Sequence, residues 1–440
     1  MRIEARQSAV IEILDSIEEA MLEAGLPADA IVTGYFRARR YAGSKDRRYV
    51  NDMVYAILRK IGTYSAVIEA CGGELSGRAL VILHLLQEGE ELSSFGAEIT
   101  HAPVAITDEE QALAAKLKGF DFDSLNQAQK LNMPEWLVPS FEARFGDNWG
   151  EAVTALNGKA ALDIRANPMK LNRENVFGKL VGAGHRIERT PLSPYGLRSE
   201  KKIQLSEEEL YREGWIEVQD EAAQLASIMV GGTQYDYIVD LCAGAGGKAI
   251  MIAGLMGNKG QIKAHDISQR RLRELEKRAE RAGVDGCIEA ILLPEDAAGR
   301  SKKLDQLNMA DKVILDIPCS GTGTWRRNPD QRWRLTAEMI AELQETQLGI
   351  LDEGATLVKQ DGLLFYMTCS LLPAENEEIV DKFLSTNDKF KRISAIDRLN
   401  VALEEADTIK SLSTNKLDLQ LAPHSHNTDG FFVSVLQRVK

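Results

Sequence analysis

Two cysteines follow strand-like apolar runs and lie in polar loops, and this placement predicts covalent chemistry. Cys319 lies within residues 316–323, which read D-I-P-C-S-G-T-G, and Cys369 lies within residues 368–376, which read T-C-S-L-L-P-A-E-N. A thiolate is a strong nucleophile for an electrophilic carbon. Because both thiols are placed alike at strand ends, we expect one to attack and the other to assist.

A glycine-rich loop upstream of both cysteines predicts a cofactor site. Residues 240–248, D-L-C-A-G-A-G-G-K, follow a strand-like run and begin a helix. Glycines let the backbone approach a ligand closely, and a helix N-terminus offers free N–H donors. Asp266 ends the next strand-like run, where a carboxylate holds ribose hydroxyls. The candidate cofactor contacts are Cys242, Ala243, Gly244, Ala245, Gly246, Gly247, Lys248, Asp266, Asp296 and Asp316.

The loop alone fits either a dinucleotide or S-adenosylmethionine, and a plain glycine turn is the structural alternative. Its spacing does not match G-x-G-x-x-G, which disfavours a dinucleotide. Asp296 and Asp316 follow the third and fourth strand-like runs and add carboxylates along the same edge. Carboxylates repel phosphates but tolerate an adenosyl group and a cationic sulfonium. The pattern therefore favours S-adenosylmethionine.

A thiolate, a carboxylate and a methyl donor together match methylation at carbon-5 of a pyrimidine. Carbon-5 is a poor nucleophile until a thiolate adds to carbon-6, after which carbon-5 can take the methyl group. A base must then remove the carbon-5 proton, and an acid near N3 stabilises the adduct. Cys369, Cys319 and Asp316 supply the required groups, but residue chemistry does not decide which thiol attacks.

Composition predicts a large globular protein of about three domains. The chain has 440 residues and is 44% hydrophobic. Its net charge of −13 argues against unspecific nucleic-acid binding.

No apolar run is long enough for a membrane span, and no secretory signal is visible. The five cysteines form no CxxC pair and the histidines no zinc pattern, so we expect a cytoplasmic protein with free thiols and no metal. Cys71, Cys242 and Cys287 fit small buried hydrophobic residues.

Two clusters of basic and aromatic residues are open to two interpretations. They fit either solvated charged surfaces or contacts to phosphates and stacked bases. The first cluster contains Arg37, Arg39, Arg40, Lys45, Arg47 and Arg48 beside Tyr35, Phe36, Tyr41 and Tyr49. The second contains Arg326, Arg327, Arg332 and Arg334 beside Trp325 and Trp333.

The elements that must position these residues change character along the chain. Residues 1–145 show apolar residues at helical spacing, residues 146–230 form a small mixed α/β module, and residues 231–440 repeat strand, loop and helix. The last pattern predicts a doubly wound parallel sheet with ligands at the carboxyl ends of its strands. The predicted strands are 237–241, 261–265, 288–293, 312–317, 363–367 and 431–436, with helices over 268–282 and 336–358.

Several of these segments resemble one known family, the RNA 5-cytosine methyltransferases of the RsmB and NSUN type, in its RsmB branch. The resemblance covers residues 215–440 and extends into the preceding module. Residues 316–323 resemble the family's D-x-P-C-S-G-x-G segment, and residues 368–376 match its T-C-S-x-x-x-x-E-N segment. Four further segments resemble segments of the family, whose letters are given in parentheses. They are residues 240–248 (D-x-C-A-A-P-G-G-K), 218–220 (V-Q-D), 429–432 (the closing strand) and 165–170 (R-V-N-T-L-K).

The resemblance implies an α/β fold with three domains and a role for each thiol. It implies an all-α NusB-like RNA-binding domain at 1–145, an RRM-like adaptor at 146–230 and a Rossmann-like class I methyltransferase domain at 231–440. By resemblance Cys369 is the nucleophile, Cys319 assists product release, and Asp316 belongs to both the catalytic and the cofactor-binding group. S-adenosylmethionine is the implied cofactor, held by residues 242–248 and the three carboxylates named above.

The cofactor loop departs from the family pattern at two positions. Ala245 stands where the family usually has proline, and Ala249 where threonine often follows the lysine. Because both changes leave the backbone donors in place, we expect weaker cofactor affinity rather than loss of binding.

Three functions are compatible with these features, and the first is favoured. It is methyl transfer to carbon-5 of cytosine in structured RNA by a monomeric enzyme without a membrane partner, with ribosomal RNA as substrate and tRNA as the alternative. The second is an RNA-binding assembly factor with an inactive methyltransferase domain, which only the altered loop supports. The third is a nicotinamide dehydrogenase, which leaves both cysteine segments unexplained.

Overall fold

A computed structural model describes residues 1–22, 25–201, 203–403 and 409–440. The chain forms two compact units. The first comprises Met1–Glu142, Gly146–Lys159 and Trp325–Thr336, and the second comprises Ala143–Phe145, Ala160–Thr324 and Ala337–Lys440. The segment that follows the first cysteine loop therefore belongs to the N-terminal unit. The division into domains at residues 145 and 230 stays a prediction.

The first unit is helical, as its apolar spacing predicts. Val10, Ile13 and Ile17 lie on one face of the first helix and are buried, and so are Val50 and Val54 of the third. Burial of such a stripe is what stabilises an amphipathic helix in a protein. The helices are α1 (Ile3–Leu22), α2 (Ala28–Ala38), α3 (Ser44–Leu58), α4 (Ile61–Ala70), α5 (Gly77–Gln87), α6 (Asp108–Lys118), α7 (Gln127–Lys130), α8 (Val138–Phe145) and α9 (Trp149–Asn157).

The second unit begins with a small antiparallel sheet. Its strands are β1 (Leu162–Ala166), β2 (Glu188–Arg189), β3 (Gly196–Ser199) and β4 (Ile216–Val218), in the order β2-β3-β1-β4. α10 (Arg173–Gly182) packs its buried Val176 and Leu180 into the same core as Ile164 of β1. In the pairing of β1 with β4, Arg165 lies opposite Glu217, and both side chains are buried.

A larger sheet follows in the order β10-β12-β9-β8-β5-β6-β7, with β11 paired to β12. The strands β5 to β9 are parallel, and β10, β11 and β12 are antiparallel to their neighbours. All six predicted strands are confirmed within this sheet. The strands are β5 (Tyr237–Asp240), β6 (Gln261–Asp266), β7 (Ile288–Leu292), β8 (Ala310–Asp316), β9 (Val358–Thr368), β10 (Phe390–Ile393), β11 (Leu419–Leu421) and β12 (Phe431–Arg438).

The helices of this unit connect the strands, which gives the doubly wound α/β architecture predicted from sequence. The apolar runs of β5, β8 and β9 are buried because helices cover both faces of a parallel sheet. The remaining helices are α11 (Glu209–Arg212), α12 (Glu221–Val230), α13 (Gly247–Leu255), α14 (Gln269–Ala282), α15 (Ala297–Leu304), α16 (Gln331–Arg334, in the first unit), α17 (Ala337–Thr356), α18 (Glu377–Thr386), α19 (Ala395–Leu403) and α20 (Pro423–His426).

The second basic and aromatic cluster contributes to the core of the first unit. Trp325 is fully buried and stacks on Phe141, with ring centroids 5.6 Å apart. Arg332 lies over the Trp325 ring and donates to the Asn132 carbonyl and to Asn157, each at 2.6 Å. Burial lowers the pKa of Arg332 to about 9. Because Trp325 and Arg332 are buried, they are neither a solvated charged surface nor available for base stacking, and for these two residues both interpretations are wrong.

Most basic side chains of the first cluster lie at the surface of the helical unit, whereas Phe36 is buried in its core. Arg39 pairs with Glu12 at 2.9 Å and covers the Tyr35 ring. Arg37 and Arg40 are exposed. Surface pairs of this kind add little stability, and RNA binding by this cluster stays a prediction.

Among the described residues, no helix combines the length and apolarity that crossing a membrane would require.

Candidate active site

The two cysteine loops meet at one edge of the larger sheet. Strands β8 and β9 are parallel neighbours in which Asp316 pairs with Met367, so both strands end side by side. The Cys319 and Cys369 Sγ atoms lie 3.4 Å apart. The expectation that both thiols lie together at strand ends is confirmed geometrically, because parallel strands present their carboxyl ends to the same edge.

Close backbone contacts hold the loops at this separation. The Gly323 N–H donates to the Cys369 carbonyl at 2.9 Å, and the Gly430 N–H donates to the Gly323 carbonyl at 2.9 Å. A Cβ atom on Gly323 would lie 2.3 Å from the Gly430 oxygen and 2.7 Å from the Cys369 oxygen. Only glycine therefore fits at position 323, and the segment before β12 becomes part of the site.

A buried carboxylate joins the two loops. Glu375 is fully buried, and its Oε1 accepts from the Ser320 N–H at 2.8 Å and from the Gln347 amide at 3.0 Å. Its Oε2 accepts from the hydroxyls of Ser320 and Ser370. Ser320 follows Cys319 and Ser370 follows Cys369, so one side chain fixes the residue after each thiol. Both oxygens of the Glu375 carboxylate are hydrogen-bonded, and buried hydrogen bonds of this kind order the groups that make them.

The next residue, Asn376, fixes the second loop from its other side. The Asn376 Oδ1 accepts from the Thr368 hydroxyl at 2.6 Å, and its amide donates to the Ser370 carbonyl and to Gln420 Oε1, each at 3.0 Å. Thr368 and Ser370 flank Cys369, and all of these polar groups are buried. The polar residues of segment 368–376 thus hold the loop around its cysteine.

Removing the Glu375 carboxylate should misplace both thiols. We expect Glu375→Ala to lower the free energy of unfolding by about 2–4 kcal/mol, because buried donors lose their acceptor, and to lower kcat about 100-fold through misplacement. Thermal unfolding and single-turnover methylation measure the two effects. Glu378→Ala, which changes an exposed residue three positions along, is the matched control. Normal kcat in the Glu375 variant would show that the carboxylate does not position the thiols.

The glycine-rich loop leads from β5 into α13 and has a backbone suited to a ligand. Gly244 and Gly246 have φ of 56° and 79°, and a Cβ on Gly246 would lie 2.5 Å from Leu275. Positive φ and tight packing together explain these glycines. The Gly244 N–H donates to Asp266 Oδ2 at 2.9 Å, so the carboxylate that ends β6 lies against the loop. α13 begins at Gly247, directly after the positive-φ glycines, so the helix start that the sequence predicts is confirmed.

Charged groups gather beside this loop. Lys248 Nζ lies 2.5 Å from Asp316 Oδ2 and 4.8 Å from the centre of the Phe431 ring. Burial, with the nearby Asp316, raises the pKa of Asp240 to about 7. Burial, with the charges of Asp240 and Asp316, raises the pKa of the Cys242 thiol well above its usual range. This edge therefore carries negative potential, which suits a cationic ligand.

The Cys319 thiol has a perturbed pKa. The hydrogen bond with Cys369, followed by burial, raises the pKa of Cys319 well above its usual range. The contact between the two sulfur atoms fits either thiol as the donor.

The predicted site residues fall into two groups. Asp240, Asp266, Asp316 and residues 242–248 come together at the carboxyl ends of β5, β6 and β8. Asp296 follows β7 at the same edge, but within the described residues its side chain bonds the Gly299 N–H at 2.7 Å and caps α15. Its contact with a cofactor stays a prediction.

Sequence reasoning did not assign roles to the residues that hold the loops together. Glu375 and Asn376 stood in the matched segment, so their spacing from Cys369 was a usable signal. Gln347 of α17 also donates to the Pro318 carbonyl at 3.0 Å, but nothing in its local sequence indicates this contact. Such partners become visible only once the strands are paired.

Comparison with known proteins agrees with this geometry. A family profile described as 16S rRNA methyltransferase RsmB/F matches residues 228–437, and the ferredoxin-like domain of RsmF/B-like methyltransferases matches residues 133–206. The chain is 30% identical over 418 residues to a probable ribosomal RNA small subunit methyltransferase B of Synechocystis, covering 89% of this chain and 91% of that protein.

Solved structures share the fold. The crystal structure of PH0851 superposes with a TM-score of 0.76 at 24% identity, over 98% of this chain and 99% of that chain. NSun6 from Pyrococcus horikoshii, solved with SFG, superposes with a TM-score of 0.59 at 22% identity, over 70% of this chain and 98% of that chain. SFG is an analogue of S-adenosylmethionine. The chain belongs to the RsmB/F family of ribosomal RNA methyltransferases, which use S-adenosylmethionine.

Proposed function

We propose that the protein methylates carbon-5 of a cytosine in small-subunit ribosomal RNA. The observation that carries the proposal is the pair of thiols, Cys319 and Cys369, with 3.4 Å between their sulfur atoms. Methylation at a nitrogen or a ribose hydroxyl needs no thiol, whereas activation of carbon-5 needs a nucleophile and a group for the later elimination. The substrate class follows from the names of the curated relatives, which are ribosomal RNA small subunit methyltransferases.

In the proposed reaction Cys369 forms the covalent bond. Its thiolate adds to carbon-6 of the flipped cytosine, which makes carbon-5 nucleophilic. S-adenosylmethionine supplies the electrophilic methyl group. N3 of the ring takes a proton from solvent as Cys369 adds, and the Asp316 carboxylate, which pairs with the Lys248 ammonium, is proposed to stabilise the resulting N3–H group. Loss of the carbon-5 proton then restores the ring double bond and expels the thiolate.

Cys319 is proposed to assist this last step. Its sulfur atom lies 3.4 Å from that of Cys369, beside the bond that must break. Cys319 first releases its own proton to solvent, and its thiolate then accepts the carbon-5 proton while the bond between carbon-6 and Cys369 breaks and its electron pair returns to the Cys369 sulfur. This is the role that the family resemblance implies for Cys319.

The cofactor contacts are proposed for residues 242–248, Asp266, Asp296 and Asp316. The positive φ of Gly244 and Gly246 and the packing of Gly246 on Leu275 shape a loop without side chains in the way of a ligand. The buried acidic groups favour the sulfonium of S-adenosylmethionine over a dinucleotide diphosphate. An inactive assembly factor is not favoured, because the thiol pair and its supporting carboxylate are intact.

Methyl transfer to purified RNA tests the proposal. The full chain is incubated with small-subunit ribosomal RNA or with tRNA and with methyl-labelled S-adenosylmethionine, and methylated cytosines are mapped by bisulfite sequencing. We expect label at a bisulfite-resistant cytosine of the ribosomal RNA. Label only in tRNA would contradict the substrate class, and label at another base or none would contradict the reaction.

A further inference from the structure

A peptide group in the cofactor loop is held by a side chain from outside it. Arg278 of α14 donates from one terminal nitrogen to the Ala245 carbonyl at 2.7 Å. The N–H of the same peptide group belongs to Gly246 and donates to the Ala243 carbonyl at 2.9 Å. The peptide plane between residues 245 and 246 is therefore fixed on both sides, and only one of the two contacts comes from within the loop.

Arg278 is itself held by the small sheet. Its Nε and its other terminal nitrogen donate to Glu217 Oε2 of β4, at 3.2 and 2.9 Å. The Glu217 side chain is only 1% exposed, and its second oxygen accepts from Arg281. Arg281 also lies over the Tyr211 ring, 4.2 Å from its centre. Because an unpaired buried carboxylate is costly, this pairing fixes the direction of the Arg278 guanidinium.

The loop has a physical need for this contact. Gly244 and Gly246 both adopt positive φ, and glycine loses more conformational freedom on ordering than other residues do. Ala245 lies between them. Its φ is as variable as that of an ordinary residue, whereas the ring of a proline at this position would fix φ. The direction of the loop N–H groups, on which ligand binding depends, then rests on contacts such as the one from Arg278.

The segment after β4 is ordered in the same region. The buried Arg165 of β1 donates to Gln219 Oε1 at 2.6 Å, and Gln219 directly follows β4. The contact of the small sheet with the loop therefore runs through Glu217 and Arg278.

We propose that Arg278, oriented by Glu217, is a positioning residue for S-adenosylmethionine binding, so that the small sheet supports the affinity of the cofactor loop. The inference rests on the cofactor site proposed above. Arg278 touches neither cofactor nor substrate in this scheme. It acts through the Ala245 carbonyl, and its loss should change cofactor affinity rather than the chemical step.

Paired substitutions separate positioning from general stability. Arg278→Met removes the bond to Ala245, whereas Arg281→Met removes another partner of Glu217 and leaves the loop contact in place. The full chain is titrated with S-adenosylhomocysteine by calorimetry. We expect Arg278→Met to raise Kd about 10-fold, the scale of one charged hydrogen bond, and Arg281→Met to raise it by less than about 2-fold.

Further measurements exclude a purely structural explanation. Both variants lose a partner of Glu217, so melting temperatures should fall alike, and only Arg278→Met should raise KM for S-adenosylmethionine with kcat nearly unchanged. Glu217→Gln should raise Kd in the same direction, and combining it with Arg278→Met should add no further loss. Equal Kd values for the two arginine variants would overturn the inference about Arg278 but would not contradict the proposed cofactor site. Failure of the unmodified chain to bind S-adenosylhomocysteine would overturn the cofactor site as well.

Discussion

Replacing Cys369 with alanine is expected to abolish methyl transfer. Without this thiol no bond forms to carbon-6, and carbon-5 stays too weak a nucleophile to take the methyl group. We expect the rate to fall at least about 1000-fold, the scale seen when a covalent nucleophile is removed. The measurement is single-turnover transfer of labelled methyl groups to small-subunit ribosomal RNA.

The control for this variant must show an intact protein. Cys287→Ala changes a buried cysteine of the same unit, outside the two cysteine loops, and should keep normal turnover. The Cys369 variant should still bind S-adenosylhomocysteine with nearly normal affinity, because Cys369 lies outside the glycine-rich loop. Residual turnover close to that of the unmodified chain would show that Cys369 is not the nucleophile.

Much of the sheet could be predicted from sequence because its strands are buried on both faces. The apolar runs of β5, β8 and β9 stand out between polar loops, and their parallel order places Asp240, Asp316 and Cys369 at one edge. The placement of both thiols at this edge follows from the topology, whereas their separation depends on the contacts between the two loops. Local patterns were therefore sufficient wherever function depends on strand ends.

Other features depend on contacts between distant segments and had no local signal. Trp325 and Arg332 follow a reactive loop and look like a nucleic-acid surface, yet they pack into a helical core some 200 residues away in sequence, as the bond from Arg332 to Asn132 shows. The contact of Arg278 with Ala245 likewise joins a surface helix to a loop. A charge pattern cannot distinguish a surface arginine from a buried one.

Replacing Cys319 with alanine is expected to trap the RNA on the protein. Cys369 can still attack and the methyl group can still be transferred, but the step that releases the product loses its assisting thiol. We expect a covalent adduct that survives denaturant and migrates as a protein–RNA band in a denaturing gel. The adduct should contain one labelled methyl group per protein, and turnover should stop after that first transfer.

The double variant decides whether this division of labour is correct. Cys319→Ala combined with Cys369→Ala should form no adduct, because the trapped bond is the one that Cys369 makes. If the double variant still traps RNA, a different nucleophile is at work. If Cys319→Ala alone releases product at the normal rate, proton transfer at this step belongs to another group. The 3.4 Å between the two sulfur atoms puts the Cys319 thiol beside the bond that must break, which favours the trapped adduct.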